Sequence, residues 1–233
     1  VGSSIKVDKR LYKEDILASA SHAEMLYKQK IISIKIKDKI LWGLKRIQNE
    51  IEKKNFKFDE NLEDIHMNIE NRLFELIGND AGCLHSARSR NDQVVTDLKL
   101  WLKKSTGEID SLLLKVIKSL IKISEKNIFT IMPGFTHLKN AQPISLAHYF
   151  LSNVEMFKRD RFRFSSNKKS LNQNPLGAGA FSGTSFNIDR WYTTKKLKFE
   201  EPTNNSLDTV SDRDFVLDFL YSASICSMHI SRI

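Results

Sequence analysis

The sequence predicts an all-α protein whose helices are longer than usual. Apolar residues recur at helical spacing through most of the 233 residues, whereas the alternating pattern of β-strands is scarce. Polar clusters interrupt this periodicity at a few places, and the cluster at Gly82–Gln93 immediately precedes the longest periodic segment. Helices well above the average of about 11–12 residues are therefore expected.

Three helices are predicted in the first part of the chain. The first is expected from Leu11 to about Lys28, where alanines and larger apolar residues form a packed side. Asp38 is predicted to open the second helix, which carries one apolar stripe. Asn61 is predicted to cap the third, and Gly78 to end it, because glycine readily adopts the conformation that terminates helices.

The cluster Gly82–Gln93 carries polar side chains almost without an apolar break. Such a segment does not suit a core, because each buried polar group without a partner costs about 1–3 kcal/mol. Arg88 and Arg90 lie beside Ser89 and Asn91 at a predicted helix start, which is a favourable arrangement for binding an anion. A polar capping loop with a solvated charge cluster explains the same residues.

A long helix is predicted after this cluster, from about Asp92 to beyond Ile123, because no proline interrupts its apolar stripe. It is expected to end before a second polar cluster, Pro133–Leu138. Pro143 fits the first turn of another long helix, which is expected to run to about Lys169.

The last third of the chain begins with the glycine-rich segment Pro175–Thr184, which predicts a close-packed turn or a mobile loop. Asp189 is predicted to cap a short helix. Ser211 and Asp214 have the spacing of a capping box, so the final helix is expected to start near Ser211. Its periodicity continues to Ile233, so we interpret the chain as a fragment that stops within a helix.

Composition narrows the class of protein. A hydrophobic content of 41% with 28% charged residues is ordinary for a globular protein. We recognise no apolar run that would span a membrane and no export leader. Cys83 and Cys226 are too few and too distant for a disulfide framework or a zinc site, which favours a reduced cytoplasmic protein. The net charge of +9 is scattered along helices, so nucleic-acid binding is the weaker interpretation.

Taken together, His85–Gln93 and Pro133–Pro143 closely resemble the argininosuccinate lyases of the fumarase/aspartase superfamily. The resemblance covers essentially the whole chain. It continues through the segments Gly2–Ile5, Asp8–Leu11, Glu63–His66, Pro175–Ala180, Gly183–Phe186, Ser206–Asp208 and Ser211–Val216. The Ser-Arg-Asn-Asp-Gln core of the first cluster is specific, because fumarases and adenylosuccinate lyases carry different residues at that turn.

This resemblance implies a fumarase/aspartase-like all-α fold with a smaller N-terminal helical domain at residues 1–87 and a long-helix bundle domain at residues 88–233. It implies reversible β-elimination of argininosuccinate to arginine and fumarate, with no cofactor and no metal. It also implies a homotetramer in which each active site draws on several subunits.

The resemblance further implies that Ser89, Arg90 and Asn91 hold a substrate carboxylate, with additional hydrogen bonds from Ser4 and Thr136. These residue types suit the reaction. Removing a proton next to a carboxylate gives a doubly charged intermediate, which needs cations and hydrogen-bond donors already in place.

Three further residues take roles from the resemblance. His137 would be the acid/base residue that protonates or steers the leaving guanidinium nitrogen, and Asp8 would lie near the arginine-like end of the substrate. His66 would line the pocket. Without the resemblance, a single histidine beside an apolar stripe is more often a satisfied surface or core residue than a catalyst, and with it the two interpretations are about equal.

The flexible loop of this family, with a Met-Pro-Gln-Lys-Lys-Asn run, supplies the serine favoured as general base and would fall beyond Ile233. The 233-residue chain alone is therefore expected to be inactive. Two other classes of function stay open. One is a structural role like that of the lens crystallins related to this enzyme, and the other is a long-helix scaffold that binds acidic ligands without turnover.

Overall fold

The computed structural model describes residues 3–233, so Gly2, the first residue of one matched segment, lies outside the described residues. Helices dominate, which confirms the predicted all-α class. The α-helices are α1 (Ile5–Asp8), α2 (Tyr12–Lys28), α3 (Ile34–Glu52), α4 (Ile65–Ile77), α5 (Arg90–Lys126), α6 (Leu146–Ser170), α7 (Arg190–Lys196), α8 (Ser206–Ser211) and α9 (Asp214–Ile230). Short 3₁₀ helices cover Lys9–Leu11 and Gly78–His85.

The chain divides into two compact units. Unit 1 contains Val1–Trp101 and Asn172–Asp212, and unit 2 contains Leu102–Leu171 and Arg213–Ile233. The long helix α5 contributes residues to both. This division by contacts differs from the predicted domains 1–87 and 88–233, which stay a prediction for the longer protein.

The core of unit 1 lies where α2, α3 and α4 pack against each other. Their apolar stripes supply its fully buried side chains, which include Met25, Leu26, Ile40, Leu44, Ile47, Ile65, Ile69 and Leu73. Gly43 allows α3 to approach α4 closely, because a Cβ atom at this position would collide with the side chain of Leu73. A smaller cluster around Leu100, Leu176 and Leu197 packs the C-terminal part of the unit.

Two predicted helix starts in unit 1 are wrong. Ser33 rather than Asp38 caps α3, and its hydroxyl accepts a hydrogen bond from the Ile36 N–H. Asp64 rather than Asn61 caps α4. In both cases the cap is the residue with extended backbone whose side-chain oxygen reaches a free N–H of the first turn. The predicted end of α4 at Gly78 is confirmed, with φ of 67°.

Unit 2 contains a β-hairpin that the sequence did not predict. Strands β1 (Ile131–Thr136) and β2 (Lys139–Ser145) pair antiparallel, and Pro143 lies opposite Pro133. The prediction that Pro143 starts a helix is therefore wrong. A two-stranded hairpin tolerates both prolines because each strand has an unpaired edge. Helix α6 begins later, capped by Ser145.

The core of unit 2 joins α5, α6 and α9 through a cluster of buried apolar side chains: Leu113, Ile117, Leu120, Val154, Phe157, Phe164 and Cys226. The last helix begins at Asp214, whereas Ser211 ends the short helix α8, so the predicted capping box is wrong. Two two-residue strands, β3 (Gln173–Asn174) and β4 (Glu201–Pro202), pair in parallel within unit 1. Among the described residues, no helix is both long and apolar enough to cross a membrane.

Candidate active site

The first polar cluster folds into the start of α5, and a buried carboxylate organises it. Asp92 is fully buried, and its Oδ1 accepts a hydrogen bond of 3.0 Å from the Ser89 N–H. Its Oδ2 accepts two more, from the N–H groups of Gly177 and Gly179 at 3.0 and 2.9 Å. Burial raises the pKa of Asp92, although these three N–H groups oppose the shift. Asp92 therefore ties the glycine-rich segment to the helix start.

The glycine-rich segment forms a close-packed turn, which is one of the two predicted conformations; the other was a mobile loop. Gly177, Gly179 and Gly183 all have positive φ, and a Cβ atom at Gly179 would lie 2.5 Å from the carbonyl oxygen of Gly183. Asn91 donates a 2.8 Å hydrogen bond from Nδ2 to the carbonyl of Ala180. Glycine is required at Gly179, because both its positive φ and its packing against Gly183 exclude a Cβ atom.

Arg90 begins α5 and is held by acidic and amide partners. Its Nη2 donates to Glu70 Oε2 at 2.7 Å, and its Nη1 donates to Gln93 Oε1 at 3.0 Å. Its Nε lies 3.5 Å from Asp64 Oδ2. Burial alone would raise the pKa of Glu70, but a hydrogen bond from His85 and the charge of Arg90 lower it overall. The guanidinium is thus fixed at the helix start, where the helix dipole favours an anion.

Ser4 and Asp8 lie beside the start of α4. The Ser4 hydroxyl donates to Asp8 Oδ2 at 2.6 Å, and Asp8 Oδ1 accepts from the Ile65 N–H at 3.2 Å. The backbone N–H of Ser4 donates to the Glu63 carbonyl. Because Asp64 at the cap of α4 contacts Arg90, this part of unit 1 brings Ser4, Asp8 and the start of α5 to one end of α4.

His66 is buried in the first turn of α4, between two aspartates. Its Nδ1 lies 3.0 Å from Asp15 Oδ1 and 3.3 Å from Asp97 Oδ2. Burial would raise the pKa of Asp15, but His66, Arg88 and a hydrogen bond from Gln93 hold it well below its usual range. Burial raises the pKa of Asp97 well above 3.8, and the charge of Asp15 adds to this. The pKa values of the two buried aspartates are therefore shifted in opposite directions.

Asp15, His66 and Asp97 also form the one group, within residues 3–233, whose donor atoms lie close enough to hold a metal ion, all within 4.8 Å. Two carboxylates and an imidazole suit a divalent cation. However, Asp15 Oδ1 already accepts hydrogen bonds from both Gln93 and His66. We assign no metal to this group, and the expectation of no metal stays a prediction.

Thr136 and His137 lie elsewhere, in unit 2. Both are exposed on the β-hairpin, where His137 and Leu138 form the turn with φ of 52° and 61°. Unit 1 thus groups together the other predicted site residues: Ser4, Asp8, His66, Ser89, Arg90 and Asn91.

Several polar residues of this site were not singled out from the sequence: Asp15, Asp64, Glu70, Asp92, Gln93 and Asp97. Asp92 and Gln93 were visible as part of the polar cluster. The sequence signal for Asp15 and Asp97 is a charged residue among the apolar positions of an amphipathic helix, where burial requires a partner.

Curated relatives match the chain over its full length. The argininosuccinate lyase of Pelagibacter ubique (strain HTCC1062) is 64% identical over 233 residues, which are 100% of this chain and 50% of that protein. The argininosuccinate lyase of Ehrlichia ruminantium (strain Welgevonden) is 52% identical with the same coverage. The chain spans about half the length of the curated relatives it matches.

Solved structures show a related fold. The crystal structure of EDDS lyase in complex with formate has a TM-score of 0.88 and 25% identity, covering 97% of this chain and 44% of that chain. Fumarate lyase:delta crystallin from Brucella melitensis bound to cobalt has a TM-score of 0.81 at 19% identity, covering 99% and 56%, which supports the fold alone. A sequence model of a family described as Lyase matches residues 1–233. Because that match spans the whole chain, the protein belongs to this lyase family.

Proposed function

We propose that the full-length protein is an argininosuccinate lyase that catalyses the reversible β-elimination of argininosuccinate to arginine and fumarate. The observation that carries this proposal is the 64% identity, over every residue of this chain, to a protein of that name. We propose a cytoplasmic enzyme that needs no cofactor. The relatives' names favour the enzyme over a crystallin-like or non-catalytic role.

The proposed substrate-carboxylate site is the start of α5. Arg90 supplies a fixed guanidinium, and the dipole of the helix favours negative charge at its N-terminal end. Asn91 uses one hydrogen of Nδ2 on Ala180 and has a second to donate, while Ser89 adds a hydroxyl. This arrangement supports stabilisation of the doubly charged intermediate, because its donors need no reorganisation during the reaction.

The remaining roles follow the resemblance. Asp8 and Ser4 are hydrogen-bonded to each other, so we propose that one region of the substrate contacts both, with Asp8 facing a cationic group. His66 is proposed to line the pocket. Thr136 is proposed to donate to a carboxylate, and His137 to act as the acid/base residue on the exposed hairpin.

We also propose a homotetramer with shared active sites. Helix α5 has 37 residues, so it is about 55 Å long. Arg90 begins this helix and His137 follows its end, which supports contributions from different subunits. The exposed apolar side chains of unit 2 also support subunit contacts, since large apolar patches are typical of interfaces. They include Leu112, Val116, Ile123, Leu217, Leu220 and Tyr221.

The proposed activity is tested by a coupled assay for fumarate release from argininosuccinate, with the purified full-length protein. Release at a rate typical of enzymes, about 1–10³ per second, is expected. A properly folded full-length protein that releases no fumarate would reject the activity and leave the crystallin-like and scaffold interpretations.

Shared sites are tested by co-assembling full-length Arg90→Ala and His137→Asn subunits, each inactive alone. If the two residues of one site come from different chains, random mixing restores about a quarter of the sites, from the symmetry of the oligomer. If both come from one chain, every site lacks one of the two residues. A mixture that releases no fumarate, with mixed tetramers confirmed by mass, would therefore exclude shared sites.

A further inference from the structure

We propose that Gln93 and Asp15 are positioning residues that join Arg90 and His66 through one buried hydrogen-bond relay. In this relay, Gln93 orients the guanidinium of Arg90, and Asp15 fixes the hydrogen of His66 on Nδ1. The inference rests on the proposed function, because it takes Arg90 and His66 as residues that contact the substrate.

The relay is continuous in unit 1. Arg90 Nη1 donates to Gln93 Oε1 at 3.0 Å, and Gln93 Nε2 donates to Asp15 Oδ1 at 2.5 Å. The same Asp15 oxygen lies 3.0 Å from His66 Nδ1. Arg90 on α5 and His66 on α4 are thus connected through two side chains, Gln93 from α5 and Asp15 from α2.

The chemistry of its ends fixes the direction of every bond. Arginine has only donors, so the amide oxygen of Gln93 must face Arg90, and its NH₂ group must face Asp15. An ionised carboxylate only accepts, so His66 Nδ1 must carry a hydrogen. Nε2 is then the ring nitrogen left for contact with the substrate.

The inner members of the relay are shielded from water. Asp15 and Gln93 are each 1% exposed, and His66 is 2% exposed. Water therefore does not compete for these bonds, and breaking one leaves a buried polar group unpaired. Asp97 Oδ2 lies 3.3 Å from His66 Nδ1, farther than the 3.0 Å of Asp15 Oδ1, and the raised pKa of Asp97 disfavours its negative charge. The ionised Asp15 is consequently the group that orients the ring.

The relay predicts that the two substrate residues respond to each other. A substitution that reorients the Arg90 guanidinium also displaces Gln93, to which it is hydrogen-bonded. A substitution at His66 removes one of the two hydrogen bonds to Asp15 Oδ1. The other bond then rearranges, because both share one acceptor atom. Independent packing of the two residues would give no such coupling.

The first test needs no activity. The unmodified full-length protein is labelled with ¹⁵N-histidine and examined by solid-state NMR, with His66 assigned by the signal lost in His66→Asn. A hydrogen on Nδ1 is expected. An Nδ1 without hydrogen would overturn the relay. This readout stands even if the protein releases no fumarate, an outcome that would reject only the proposed function.

The second test uses kinetics of the full-length enzyme. Gln93→Met keeps the size of the side chain and removes both of its bonds, so KM for argininosuccinate is expected to rise about tenfold or more, with kcat nearly unchanged. Gln48→Met is the matched control, because Gln48 also donates to a carboxylate, that of Glu52, but on the exposed face of α3. An unchanged KM in Gln93→Met would overturn the inference.

Gln93→Glu separates the two halves of the relay. It retains an acceptor for Arg90 but opposes a carboxylate to Asp15, so KM is expected to rise here too. A KM that rises only in Gln93→Met would mean that the contact with Arg90 acts alone, which contradicts the relay. Gln93→Glu also serves if Gln93→Met does not fold.

Coupling gives the sharpest readout. In the wild-type background, the effect of the double variant Arg90→Lys/His66→Asn on kcat/KM is expected to differ by about threefold or more from the product of the two single-variant effects. In the Gln93→Met background they are expected to multiply. Coupling that survives loss of Gln93, or none in the wild type, would overturn the relay.

Discussion

The raised pKa of the buried Asp97 predicts a pH dependence of stability that can be measured. It is completely buried beside His66 and Asp15, and neither of its oxygens accepts a hydrogen bond. Burial raises its pKa well above 3.8, and the negative charges of Asp15 and Glu14 add to this, while Arg88 only partly opposes it. Asp97→Asn replaces the protonated carboxyl with a neutral group of the same shape, so the variant no longer has to retain a proton.

The number of protons bound in the folded and unfolded states decides whether stability rises or falls with pH. Above 3.8 the unfolded chain releases the proton of Asp97 while the raised pKa lets the folded protein keep it, so the contribution of Asp97 to the free energy of unfolding falls as pH rises towards the folded pKa. One retained proton gives a slope of about 1.4 kcal/mol per pH unit. Asp15 does not interfere in this window, because its lowered pKa makes its contribution disappear only as pH falls below 3.8.

The measurement is urea unfolding of wild type and Asp97→Asn, followed by circular dichroism at about pH 5 and pH 6. The wild type is expected to lose more stability than the variant over this unit, by up to about 1.4 kcal/mol. Asp38→Asn is the control, because Asp38 is a mostly exposed carboxylate and its replacement leaves this slope in place. Equal pH dependence of wild type and Asp97→Asn would show that Asp97 is ionised in the folded protein and refute the reasoning.

Three further predictions follow from the glycine turn, the proposed roles and the chain length. Gly179→Ala combines φ of 65° with a Cβ atom 2.5 Å from the Gly183 oxygen, so a loss of about 1–3 kcal/mol is expected in thermal unfolding. Gly82→Ala, with no atom within 4 Å, should lower stability far less, and equal losses would contradict the steric argument. In the full-length enzyme, His137→Asn is expected to lower kcat strongly with a modest change in KM, whereas Arg90→Lys mainly raises KM. A kcat within a few fold of wild type would show that His137 is not the acid/base residue. The 233-residue chain alone is expected to release no fumarate, since losing a general base costs a factor of about 10²–10⁴. Release near the full-length rate would disprove this.

The sequence by itself determined the features that depend on neighbouring residues. Helical periodicity predicted α2, the uninterrupted α5 and the cap of α7 at Asp189, and a single glycine predicted the end of α4. The same local rules misplaced the starts of α3 and α4, because several residues near each start have capping side chains and only the backbone conformation selects one.

Only the tertiary structure decided which polar groups meet. Asp92 accepts hydrogen bonds from Gly177 and Gly179, 85 and 87 residues away, and Gln93 reaches Asp15 across 78 residues. Pro143 likewise lies in a strand, opposite Pro133, because the chain pairs there with a segment ten residues earlier. Periodicity shows which face of a helix is buried, but a buried polar atom is satisfied by whichever partner the packed helices bring within about 3 Å. That partner is set by the packing of distant segments, which no local pattern encodes.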